Sequence, residues 1–210
     1  MRKIDVRKID SDAMQVSTSK RAEPRVPFGQ LVERGMLRPG EMLTFCGGWL
    51  KPPQGHAIMY SIERTAEVAE RVLTRLFAEL GARGVDLQAT VLKPCMVMPG
   101  RDRQAEVGPE EVARRTVATF KKCVPPEVAG VVFLSGGQSE ELATRNLNAI
   151  AKEAENTGAP WELSFSYGRA LQASVLRAWG GQKGHVGDAQ RVALALASAN
   201  AAAREGRFEG

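Results

Sequence analysis

The amino-acid sequence predicts an α/β fold in which parallel strands are joined by helical crossovers. Apolar runs of strand length alternate with longer stretches of helical periodicity, in the order strand, helix, strand, helix, strand, helix, helix. Capping signals open several of the helical stretches, and glycine or proline closes most of the strands. A chain of 210 residues, 43% of them hydrophobic, suits one globular domain.

Residues 1–25 read as a mixed-charge tail with a tandem RKID and no apolar h-region. The domain is expected over 26–210. "VPFGQLVERGMLRPGEMLTF" reads as a short helix, a Pro-Gly turn and a brief strand. An irregular Gly/Pro-rich junction follows over 44–61. In "SIERTAEVAERVLTRLFAELGARG", Val68, Val72, Leu73, Leu76, Phe77 and Leu80 recur at helical spacing, with Gly81 as the stop. "VDLQATVLK" is expected to be a strand. "GPEEVARRTVATFKK" opens a helix on Pro109, whose missing N–H costs nothing in a first turn. "AGVVFLSGG" is an apolar strand. Ser139 then caps a helix whose first turn carries Glu140 and Glu141, where the helix dipole favours them. "PWELSFSYG" is a further strand, and "RALQASVLRAWGG" and "DAQRVALALASANAAAREG" are the last two helices.

Composition excludes several classes. No apolar run reaches the ~20 residues a bilayer span needs, so no membrane partner is expected. The net charge of +5 is modest, and its cations lie beside glutamates on helical faces, without a basic stripe interleaved with aromatics. Nucleic acid is therefore not an expected partner. Cys46, Cys95 and Cys123 are widely spaced, which gives neither a disulfide framework nor a metal site and fits a reducing compartment.

Three strands end unusually, in "VLKPC", "FLSGG" and "SFSYGR". In parallel α/β folds the carboxyl ends of strands gather at one end of the sheet, where ligands bind. Lys93, Ser135–Gly137 and Ser166–Arg169 are thus expected to converge. Gly136, Gly137 and Gly168 let a ligand approach the backbone, and a helix starts just after each glycine stretch. Helix N-termini attract anions, and Arg169 can clamp one. Pattern alone leaves other readings open: Lys93 as a solvated strand cap or ion-pair partner, Ser-Gly-Gly as a plain strand-to-helix turn. His56 and His185 lie in loop-like sequence and read as surface residues. Glu63, Glu67 and Glu70 share a helix face expected to be solvated, which makes them poor acid–base candidates.

"LKPCMVMPG", "VVFLSGGQSEELATRNLNAI", "PWELSFSYGRALQASVLRAW" and "IERTAEVAERVLTRLFAEL" together resemble the C-terminal half of class I, Schiff-base fructose-bisphosphate aldolases. They occur in family order with family-like spacing, from Ile62 to about Gly181. "VPFGQLVERGMLRPG" resembles an earlier piece of the same barrel. The resemblance implies a (β/α)8 barrel and reversible cleavage of fructose 1,6-bisphosphate into two triose phosphates. It implies Lys93 as the Schiff-base lysine, with Ser135, Gly136 and Gly137 in one phosphate loop and Ser166, Gly168 and Arg169 in the other. Packing against Val91, Leu92 and Met96 is expected to desolvate the amine. A sugar bisphosphate is the implied ligand, with no metal or cofactor. Self-association into a homo-oligomer is implied too, and the cytoplasm is the expected location, with a plastid as the alternative.

The chain also departs from the family pattern. Cys95 stands for the usual asparagine after Lys-Pro, and Gln88-Ala89 for Glu-Gly. The units carrying the family's acid–base glutamate, two further active-site lysines and a catalytic aspartate find no counterpart, nor does its functional C-terminal tyrosine. The expected fold is therefore an incomplete barrel. The expected activity is either aldolase cleavage or, alternatively, phosphate binding or oligomer formation by an impaired relative.

Overall fold

The computed structural model describes residues 61–210. The tail, the early-barrel segment and the 44–61 junction up to Tyr60 lie outside the described residues, as does His56, and so do the expectations for them.

Helix α1, Ile62–Ala82, starts where the Ser61 side chain accepts a hydrogen bond from the Arg64 N–H at 3.3 Å. It buries Ile62, Leu73 and Phe77. The next segment differs from the expected strand. Asp86 accepts from the Gln88 N–H at 3.0 Å, and the Thr90 hydroxyl donates to the Asp86 carbonyl at 2.8 Å. These bonds wind Leu87–Ala89 into one 3-10 turn and shorten strand β1 to Val91–Leu92. An aspartate that bonds the backbone two residues on competes with a ladder, and here it wins.

Helix α2, Pro109–Cys123, has proline in its first turn, Glu110 and Glu111 beside it, and Lys121 and Lys122 at its end, as the dipole favours. Val112, Ala113, Thr116, Val117 and Phe120 form its buried stripe. Strand β2, Gly130–Phe133, is followed by α3, Glu140–Thr157, whose cap Ser139 accepts from the Leu142 N–H at 3.1 Å. Strand β3, Glu162–Phe165, α4, Arg169–Trp179, and α5, Val186–Ala203, complete the described order. His185, half-buried, ends a short 3-10 turn just before α5.

The strands lie parallel in chain order, β1-β2-β3. Leu92 pairs with Val131, and Val131 with Leu163. A parallel ladder puts paired residues on one face, so these three share a face with Phe133. All four are buried, and Phe133 stacks on Phe120 of α2 with ring centroids 5.8 Å apart. Successive helices pack on one another, α1 on α2, α2 on α3, α3 on α4 and α5, in a continuous layer over that face. Along the opposite face Val91 is 57% exposed, Lys93 is exposed, and Val132, Leu134 and Ser164 are half-buried. A doubly wound sheet buries both faces under helices, whereas a barrel sector carries helices outside only. Among the described residues the arrangement is a three-stranded sector of the latter kind, and eight such strands close a barrel.

Candidate functional site

The ladder sets the geometry of the strand ends. The isolated bridge between Cys95 and Leu134 keeps the β1–β2 register, and the Leu134 N–H donates to the Pro94 carbonyl at 3.0 Å. On the other side, the Ser166 N–H donates to the Phe133 carbonyl at 2.8 Å. Lys93 is therefore in line with Val132 and Ser164. With strands spaced about 4.8 Å and residues about 3.3 Å apart, its Cα lies about 11–12 Å from those of Ser135 and Ser166. The three sequence-expected groups thus stand at one end of one sheet.

Lys93 lies on the face away from the helices. Alternation buries Leu92, and Met96 is buried further on, while Val91 and Lys93 itself are exposed. The three-sided apolar packing expected around the amine is therefore not how it sits, because Val91 and Leu92 point to opposite faces. The segment after Lys93 is firmly held: the buried Val97 N–H donates to the Thr116 hydroxyl of α2 at 2.9 Å. Cys95, standing for the family asparagine, is half-buried opposite Leu134.

After β2, Ser135 to Gln138 form a tight turn closed by the Gln138 N–H donating to the Ser135 carbonyl at 3.0 Å. Gly136 and Gly137 have φ of 56° and 85°, the two left-handed central positions of a type I′ turn. An added Cβ at Gly136 meets only Leu134 Cδ1 at 3.6 Å, so it is the backbone conformation, not crowding, that selects glycine there. Ser135 is buried and Gly136 exposed.

After β3, Gly168 is the N-cap of α4 and makes no side-chain cap, while Arg169 is the first helical residue and is exposed. Tyr167, a residue the sequence reading passes over, anchors this loop. Its buried hydroxyl donates to the Ala143 carbonyl of α3 at 3.1 Å, and its ring lies 5.5 Å from that of Phe165. Burial pushes the phenol well above its ordinary range, which keeps it a neutral donor. An aromatic wedged between Ser and Gly at a strand end was the available signal.

Glu140, read in the sequence only as a first-turn carboxylate suited to the helix dipole, also ties the helices behind the two loops together. Its carboxylate accepts from the Ser174 N–H of α4 at 2.8 Å and from the Ser174 hydroxyl, which in turn accepts from Arg177 Nη2 at 2.7 Å. Glu63 is held below the usual carboxylate range by its own N–H and the Ser61 hydroxyl, with Arg115 adding to the effect. Burial pushes the Cys123 thiol up to about 11, which makes it inert as a nucleophile near neutral pH. Among the described residues no three His, Cys, Asp or Glu side chains cluster as a metal site would need, and no helix is long and apolar enough to cross a membrane.

Known proteins give this geometry a context. Cytosolic fructose-bisphosphate aldolase 4 of Arabidopsis thaliana is 50% identical over 151 residues, which are 72% of this chain and 38% of the relative. The cytoplasmic isozyme of Spinacia oleracea is also 50% identical, with 42% of its length covered, and aldolase C of Homo sapiens is 46% identical, with 41% covered. Among solved structures, fructose-bisphosphate aldolase from Plasmodium falciparum, in a ternary complex with TRAP and a small-molecule inhibitor, matches with a TM-score of 0.68. It is 47% identical, over 72% of this chain and 43% of that one. The chain spans about two fifths of the length of these relatives. Residues 56–210 match the family described as fructose-bisphosphate aldolase class-I. The one-sided helical layer over a parallel sheet, at this identity, is a sector of that family's barrel, and the chain belongs to the class I fructose-bisphosphate aldolase family.

Proposed function

We propose that the chain is an aldolase-type lyase that reversibly cleaves fructose 1,6-bisphosphate to dihydroxyacetone phosphate and glyceraldehyde 3-phosphate through a Schiff base at Lys93. The observation that carries this reading is the shared register of β1, β2 and β3, which sets a primary amine at the strand end beside two glycine loops. The neutral amine adds to the C2 ketone, and the carbinolamine loses water to give an iminium. When the C3–C4 bond breaks, its electron pair moves into the iminium to form an enamine, and a base takes the C4 hydroxyl proton. The turn at Ser135, Gly136 and Gly137 and the loop at Ser166, Gly168 and Arg169 hold a substrate phosphate through backbone N–H groups and the guanidinium. The cytosol, named for several of the relatives, is the proposed location.

A second reading has its own support, because the described residues supply three strands and the chain covers about two fifths of its relatives. In that reading the protein binds phosphate esters or self-associates without full turnover. General acid–base groups are each typically worth ~10²–10⁴ in rate, and their absence brings cleavage near background. Two measurements on the full chain decide. Borohydride reduction with dihydroxyacetone phosphate is expected to leave a covalent adduct at Lys93 by mass spectrometry, and its absence from folded protein rejects the Schiff-base reading. A coupled cleavage assay with fructose 1,6-bisphosphate then separates the two: turnover removes the second reading, and adduct or binding without turnover favours it.

Arg169→Ala is expected to weaken the binding of inorganic phosphate by about 1.5–3 kcal/mol, the range for a hydrogen bond to a charged group. Calorimetric titration reads the change, and an unaltered affinity moves the anion site elsewhere.

A further inference from the structure

We propose that Gln138 is a positioning residue that fixes the distance between the Lys93 strand end and the Ser135–Gly137 turn. The inference rests on the Schiff-base reading and names a residue outside the groups that touch substrate.

Gln138 closes the turn with its backbone and is itself 6% exposed. Its side chain leaves the turn sideways. Nε2 donates to the Met96 Sδ at 3.4 Å, and Met96, 3% exposed, lies three residues beyond Lys93. Oε1 accepts from Asn146 Nδ2 of α3 at 2.7 Å, and Nδ2 also lies 3.8 Å from the Met98 Sδ. Asn146 is wholly buried. Two amides are thus set between two methionines, bridging the chain after Lys93, the phosphate turn and the helix behind it.

The setting is energetically unfavourable for stability alone. Buried amides lose water, a thioether is a weak acceptor, and Asn146 Oδ1 has no hydrogen-bond partner. Methionine or leucine at both positions would fill the same space without that cost. Directional bonds supply what apolar packing does not, a fixed orientation of the turn against the segment carrying Lys93. A ketose phosphate has a set span between its carbonyl carbon and its phosphorus, so the amine and the turn must be held at a matching span. A misplacement of about 1 Å can cost on the order of 100-fold in rate.

The test uses the full chain with three variants: Gln138→Met, Met96→Leu and the two combined. Both single changes nearly conserve volume, and because Gln138→Met leaves Asn146 Nδ2 without its acceptor, thermal denaturation of each variant checks that it is folded at the assay temperature. The readout is the rate of borohydride-trapped adduct formation at saturating dihydroxyacetone phosphate, alongside the affinity for inorganic phosphate. Each single variant is expected to lower the saturated trapping rate about 10-fold or more, while the phosphate affinity changes little. The combined variant should lose no more than the worse single one, because the two side chains act through one contact. Trapping rates at the wild-type level in both single variants overturn the inference, as does full additivity in the double. Absence of adduct in the wild-type protein overturns the Schiff-base reading instead, and this inference with it.

Discussion

In a Lys93→Arg variant, the expected result is loss of the borohydride-trapped adduct to background, with folding and phosphate affinity retained. Arginine keeps a cation at the strand end but stays protonated and offers no nucleophilic amine. The side chain at 93 is exposed and lies off the helix-covered face. Substitutions at such positions usually fall within about 0.5 kcal/mol in stability. Mass spectrometry of the reduced protein after incubation with dihydroxyacetone phosphate makes the measurement. An adduct that persists, mapped to another lysine, transfers the chemistry to that residue. Loss of phosphate affinity together with the adduct would instead make Lys93 an anion ligand.

Phe133→Ala is expected to be the most damaging core substitution. Phe133 is fully buried in β2, the middle strand of the described sheet, and stacks on Phe120. Truncating a buried phenylalanine costs about 3–5 kcal/mol through lost transfer energy and the cavity left behind. For a chain of this size that lowers the melting temperature by roughly 10 °C. Because Phe133 is two residues from Ser135 and its carbonyl accepts from the Ser166 N–H, both loops should loosen before global unfolding. Thermal denaturation followed by circular dichroism, with phosphate titration below the transition, checks both parts. A shift of only a few degrees would mean that the helix layer collapses into the space.

Many of these features were legible in the sequence for identifiable reasons. Ser61, Pro109 and Ser139 mark helix starts because orphan N–H groups need a partner or a residue that lacks the group. The apolar run before Ser135 marks β2 because a strand under a helix layer needs side chains that shed water. The strand-end residues could be grouped because parallel strands bring their carboxyl ends to the same side. The illegible parts are those decided by geometry at a distance. The run Val91–Leu92 does not say which of the two faces the helices, so the exposure of Lys93 emerged only from its register with β2. The Asp86 turn that trims β1 depends on a local competition that composition does not rank. Contacts such as Gln138 to Met96 and Tyr167 to Ala143 join residues 42 and 24 positions apart and obey no periodic pattern.

The coincidence of spatial order with chain order has a kinetic consequence. Each strand pairs with the one before it in the chain, but only after a helical crossover, so each pairing closes a loop of about thirty to forty residues and the sheet is expected to form slowly, strand by strand. Such an assembly resembles a stack more than a knot: units added at a flank need no rethreading of those already in place. A lesion in the middle unit, by contrast, severs the line of support in both directions.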